Sequence, residues 1–106
     1  MFVEDAIDDI AIISDTISIL PDVKKGSETS INYDGILSRS GADKVYLHYG
    51  FDGWRNSVTV AMNKSQSGSF NTEVEVNGKD ELNFCFKDGA NNWDNNNGSD
   101  WKVEIR

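Results

Sequence analysis

Trp93 stands in the stretch Phe84-Cys85-Phe86-Lys87-Asp88-Gly89-Ala90-Asn91-Asn92-Trp93-Asp94-Asn95-Asn96-Asn97-Gly98, polar on both sides of the ring and placed directly after an apolar-alternating run. A large aromatic side chain in such a loop has no core to enter, so its ring is offered to something outside the chain. Its neighbours are mostly neutral amides. The guest that suits them is uncharged, apolar on one face and rich in hydroxyls, which describes a sugar. Trp54 lies in a second loop, Phe51-Asp52-Gly53-Trp54-Arg55-Asn56, where one of the two aromatics could fold back as a core plug and both doing so is less expected in so short a loop; the local pattern leaves open whether Trp54 is exposed. His48 sits just before it in Lys44-Val45-Tyr46-Leu47-His48-Tyr49-Gly50. If Val45, Leu47 and Tyr49 face inward, strict alternation sends Tyr46 and His48 to the outer face, beside the turn that carries Trp54. On pattern alone, His48 also suits a solvated or strand-packing residue.

The chemistry follows from the ring faces. Axial hydrogens on one side of a pyranose form an apolar patch that stacks on an indole, and by analogy with base stacking each such platform contributes roughly 1 to 3 kcal/mol. Two platforms at an angle fit a curved chain. Flanking Asn, Asp, Lys or His side chains then give direction through bonds to vicinal hydroxyls. Water competes for every one of those bonds, so a shallow site of this kind binds in the range of about 10 μM to 1 mM.

The elements that must hold these residues read as strands. From residue 16 onward the dominant period is two: Ile17, Ile19; Ile31, Tyr33; Val45, Leu47, Tyr49; Val58, Val60, Met62; Phe70, Val74, Val76; Leu82, Phe84, Phe86; Trp101, Val103, Ile105. Side chains on a strand point alternately to opposite faces, so each run has one dry and one wet side, and about seven such strands imply two antiparallel sheets packed face to face. Trp101, alternating with Val103 and Ile105, is assigned to the core. Asn77-Gly78 between two runs reads as a tight hairpin. The first fifteen residues are open: Phe2, Ile7, Ile10 and Ile13 could line a helical face, or the segment is a linker or an extra strand closed by Pro21. The chain is therefore divided into an acidic extension, 1–15, and one sandwich domain, 16–106.

Composition narrows the function. The formal charge is −8, whereas nucleic-acid affinity is built from Lys and Arg on phosphates. Most of that charge precedes Lys24, as Glu4, Asp5, Asp8, Asp9, Asp15 and Asp22 with no cation among them, so the aromatic-bearing part is nearly neutral. Cys85 is the single cysteine, which excludes an intrachain disulfide and a cysteine-based zinc cage. Counting back from Gly98 puts Trp93 where an EF-hand needs its first ligand, so that motif fails, although Asp94 and Asp100 could hold an incidental ion. No nucleophile stands in a recognisable relation to the single histidine, and coincidental carboxylate pairs are common in so acidic a chain. The expectation is a binding domain without catalysis, cofactor or resident metal. No secretory signal and no membrane-length apolar run is visible. A complete chain would then be cytoplasmic and attend a storage polymer, and a piece of a secreted enzyme would work outside the cell.

The segment from about Pro21 to Ile105, with VYLHYGFDGW and FCFKDGANNWDNNNGSDW, resembles the starch-binding modules of carbohydrate-binding module family 25. The strand histidine, first loop tryptophan and tryptophan of the Asn-rich loop come in that order. The resemblance implies an all-β, immunoglobulin-like sandwich that binds α-1,4-glucans such as starch, glycogen and maltooligosaccharides without catalysis. On it, His48 matches the family's strand histidine, Trp54 its first stacking tryptophan and Trp93 its second. Asn92, Asp94, Asn95 and Asn96 border the second platform, and Lys87 and Asp88 approach the sugar. Family members are usually appended to amylases, and an amylase catalytic domain is the expected companion if the chain is a fragment. The rival class is an immunoglobulin-like interaction module that uses the exposed aromatic patch on a protein, since Trp is enriched at binding hot spots.

Overall fold

A computed structural model describes residues 11–14, 16–20 and 23–106, and they form the expected all-β sandwich of two antiparallel sheets. In chain order the strands are β1 (Ala11–Ser14), β2 (Ile17–Leu20), β3 (Glu28–Tyr33), β4 (Val45–Phe51), β5 (Arg55–Ala61), β6 (Asn63–Lys64), β7 (Phe70–Glu75), β8 (Glu81–Asp88), β9 (Trp93–Asp94) and β10 (Trp101–Glu104). One helical turn, α1 (Ile36–Arg39), joins β3 to β4. The first sheet runs β1-β2-β3-β7-β6 and the second β10-β8-β4-β5, with the two-residue β9 also paired to β8. The seven runs of alternating residues correspond to β2, β3, β4, β5, β7, β8 and β10; β1, β6 and β9 add to them. Of the four residues that could line a helical face, Ile13 lies on β1 and packs against the core. Phe2, Ile7, Ile10 and Pro21 lie outside the described residues.

The dry faces meet as alternation requires. Ile31 and Tyr33 of β3 and Phe70 and Val74 of β7 oppose Leu47 of β4 and Leu82, Phe84 and Phe86 of β8, all buried. Burial of each such side chain contributes about 1.5 to 3 kcal/mol, which is the main source of stability in a domain without a disulfide. Tyr33 stacks on Phe86 at 4.1 Å between ring centres, joining the sheets. β8 departs from alternation: Leu82 to Phe86 are buried without interruption. Its outward residues, Asn83 and Cys85, lose their exposure to the loops that carry Trp54 and Trp93.

Three expectations change. Asn77-Gly78 does not close a hairpin, because β7 and β8 lie in opposite sheets and the segment between them crosses the sandwich. Gly78 is needed there for space: a β-carbon would come within 2.6 Å of Phe51. Val58 is 44% exposed instead of half-buried, because β5 is the outer strand of its sheet and the opposite edge strand, β6, is only two residues long. Trp101 packs against Phe84 and Phe86, yet stays half-buried because β10 is also an edge.

Candidate functional site

His48 lies on the outer face of β4, opposite Thr59 of β5 on one side and Cys85 of β8 on the other. The Thr59 pairing fixes the imidazole, since His48 Nδ1 and Thr59 Oγ1 share a hydrogen bond of 2.8 Å. The other ring nitrogen, Nε2, makes no hydrogen bond among the described residues. Trp54 lies nearly parallel to this ring, with centroids 5.3 Å apart and planes inclined by 20°. Trp93 stands edge-on to it at 5.8 Å and 86°. His48 thus neighbours two indoles that are themselves steeply inclined. Trp93 is 48% exposed and Trp54 is half-buried.

Each platform has its own support. Asp52, Gly53 and Trp54 all adopt left-handed backbone, with φ of 51°, 82° and 68°. Such a run is unfavourable for an aromatic residue unless its surroundings fix it. Asn83 does so from below: its Oδ1 accepts the amides of Gly53 and Trp54 at 3.1 and 3.0 Å, and its Nδ2 donates to Glu81. Gly50 lets the turn come close, as a β-carbon there would meet the Trp54 Cα at 3.0 Å. Asp52 accepts the amides of Lys79, Asp80 and Glu81, which tie the turn to the sheet crossing and hold its carboxyl below the usual range.

Trp93 is positioned by β9. Successive residues on a strand point to opposite sides. Trp93 faces outward beside its cross-strand neighbour Lys87, while Asp94 turns toward the interior. There Asp94 Oδ2 accepts the Tyr33 hydroxyl at 2.6 Å, and the same hydroxyl oxygen accepts the Leu37 amide. Burial, and after it the bond to Asp94, pushes the Tyr33 phenol well above its ordinary 10.0. Lys87 Nζ lies 5.6 Å from the Tyr46 ring centre and 5.7 Å from that of Trp93, which are favourable cation–aromatic distances. Its ammonium thus lies near both rings.

The structure therefore brings together His48, Trp54, Trp93 and Lys87. Asp94 apart, the other expected residues have partners within their own loop. Asp88 accepts the amides of Ala90 and Asn92 and the Asn92 side chain, bonds that build the turn and lower its carboxyl. Asn95 Oδ1 accepts the Gly98 amide, and Asn96 Nδ2 donates to the Asp100 carbonyl. Cys85 lies beneath this loop, and burial together with the Asp100 carboxylate pushes its thiol up to about 12. Thr59, Asn83 and Gly50 were not singled out from the sequence, and Tyr46 was placed on the outer face without a part in the site. Their part depends on cross-strand register and on the fold of one turn, which local spacing does not carry. Among the described residues no cluster of His, Cys, Asp or Glu is arranged to hold a metal, and no helix is long and apolar enough to cross a membrane.

Residues 29–84 match the starch/carbohydrate-binding module of family 53. The match takes in His48 and Trp54 and stops before Trp93. A stretch of 79 residues, 74% of the chain, is 38% identical to an α-amylase of Clostridium acetobutylicum. It covers 10% of that relative's length. No solved structure gives a significant match. The number of the matched family is thus 53, where the motifs resemble family 25; both point to starch.

Proposed function

The chain belongs to the starch/carbohydrate-binding modules of family 53, and from that premise we propose that its starch docks on the outer face of the β10-β8-β4-β5 sheet, across Trp54, His48 and Trp93. The function is starch binding without catalysis. The observation that supports this location is the pair of indoles at 5.3 and 5.8 Å from one imidazole, inclined to each other and backed by a sheet. Successive sugar residues of an α-glucan turn relative to one another, so one stacks on Trp54 and the next ones meet Trp93. His48 Nε2 and Lys87 Nζ bond the hydroxyls between them. The order of the three rings, which resembles family 25, supports the same assignment. Glycogen, with the same main-chain linkage, is expected to bind at the same platform.

The named relative is an α-amylase ten times the length of the match, and on that ground the module serves to hold a starch-degrading enzyme on its polymer. The test is a titration with a series of maltooligosaccharides followed by tryptophan fluorescence, together with retention on insoluble starch. Saturable quenching, with soluble oligosaccharide releasing the starch-bound chain, is the expected result. An emission spectrum that ignores millimolar maltooligosaccharide, with no retention, would overturn the reading and favour the protein-interaction alternative.

A further inference from the structure

The Asn-rich loop has a second side. Between it and α1 lies a groove of about 480 Å3 whose walls include Ile36, Arg39, Asp94, Asn96, Asn97 and Trp101, a volume within the range of small-molecule sites. Because Trp93 and Asp94 are consecutive on β9, the platform and this groove diverge from one two-residue strand. We propose that the groove is a second α-glucan site, one that takes a neighbouring segment of the same polymer. The proposal rests on the reading of the chain as a starch-binding module.

The lining has the chemistry of a sugar site. Ile36 is 64% exposed, the highest value among the described large apolar residues. It shares one side of the helical turn with Arg39, three positions on. Trp101 is covered by Phe84 and Phe86 within the sandwich and leaves the rest of its indole in the groove. These two residues give an apolar strip for the axial hydrogens of a pyranose. Around it are groups able to bond hydroxyls. Arg39 has no ion pair and no side-chain hydrogen bond among the described residues, and neither does Asn97. Asn96 uses only its amide nitrogen, on Asp100, and Asp94 only Oδ2, on Tyr33, so an oxygen of each remains. Asn96 and Asn97 both adopt left-handed backbone with φ of 56° and both line the groove.

Charge selects among ligands. Arg39 and the carboxylate of Asp94 line one groove, so an anionic guest is repelled by the second and a cationic one by the first. A neutral polyol with an apolar face satisfies both. In starch, chains lie side by side, so a module already held on its platform meets a second segment at high effective concentration, and weak binding there adds to retention.

The experiment is a two-dimensional amide NMR titration of the whole chain with maltoheptaose, repeated on Trp93→Ala and on an Ile36→Ser, Arg39→Ala double variant. Both substituted positions of the double variant are exposed, so the fold is expected to keep its melting temperature. Wild type should show shifts around Trp54 and Trp93 and, at higher ligand concentration, a second set at Leu37–Gly41 and Asn96–Asp100. Trp93→Ala should lose the first set and keep the second. The double variant should do the reverse, bind maltoheptaose at the platform as tightly as wild type, and be retained on granular starch about tenfold less. Saturation of the platform with still groove amides would overturn the second site and leave starch binding intact. So would unchanged retention of the double variant. If neither set moves, starch binding itself fails and the groove with it.

Discussion

Tyr33 donates its phenolic hydrogen to Asp94 Oδ2 at 2.6 Å, so a core residue of one sheet holds the residue next to Trp93 in the other. Tyr33→Phe keeps the ring that stacks on Phe86 and removes only this donor and the acceptor for the Leu37 amide. A hydrogen bond to a charged group contributes about 1.5 to 3 kcal/mol, and a loss of that size is expected in urea unfolding. Glucan affinity should also fall, because β9 loses its inner tie while Trp93 itself is intact.

Trp54→Ala and Trp93→Ala are each expected to weaken maltooligosaccharide binding at least tenfold while leaving the melting temperature within a few degrees of wild type. A stacking platform contributes roughly 1 to 3 kcal/mol, and about 1.4 kcal/mol is one decade in affinity. Calorimetric titration of both variants checks this. An unchanged dissociation constant for either would remove that ring from the site.

Asn83→Ala removes the acceptor for two backbone amides of the left-handed Trp54 turn, and Asn83→Asp keeps an acceptor at the same place. The alanine variant should lose about 1 kcal/mol of stability, the net worth of hydrogen bonds to part-buried donors, and bind glucan more weakly. The aspartate variant, combined with Glu81→Gln so that two carboxylates do not face each other where Asn83 Nδ2 donates to Glu81, should recover part of the affinity. Equal binding by all three forms, measured by fluorescence titration, would show that the turn does not depend on this side chain.

Thr59→Val preserves shape and withdraws the hydrogen bond from His48 Nδ1. Free rotation of the imidazole is expected to lower affinity about two- to fivefold, a loss of less than 1 kcal/mol, without altering the unfolding midpoint. Calorimetry and thermal unfolding on the same preparation separate the two effects.

Alkaline pH should destabilise the fold through Cys85 and Tyr33. The Cys85 thiol is raised from 9.0 to about 12, and the Tyr33 phenol is raised above 10.0. Between the unfolded and folded values the unfolded chain has released a proton that the folded chain keeps. Stability is therefore complete below pH 9 and falls as pH rises from there toward 12, by up to about 1.4 kcal/mol per pH unit for each group. Cys85→Ala in a Tyr33→Phe background should flatten the decline, as followed by denaturation at stepped pH.

Much of this arrangement was legible in the sequence because alternation is a local signal. The inward sets from Ile31 to Phe86 and the outward turn of His48 follow from period two alone, and Trp93 was recognisable by having no apolar neighbours in its loop. What alternation does not carry is pairing. Asn77-Gly78 has the composition of a hairpin, but Phe51 packing on Gly78 and the amides bound by Asp52 belong to a crossing between sheets. Asp94 reads as a carboxylate bordering the Trp93 platform, and nothing local shows that Tyr33, sixty-one positions earlier, donates to one of its oxygens. Thr59 and Asn83 escaped notice because each acts on a residue of another strand or turn, and only the register discloses that.

The steep angle between the two indoles also sets a limit on what the platform can accept. A ribbon polymer such as a β-1,4-linked glucan keeps its rings nearly coplanar, so it could lie flat on one tryptophan and would pass the other edge-on. On the proposed site, discrimination between linkage isomers of the same monosaccharide is then expected from the tilt of the rings rather than from any contact that identifies glucose.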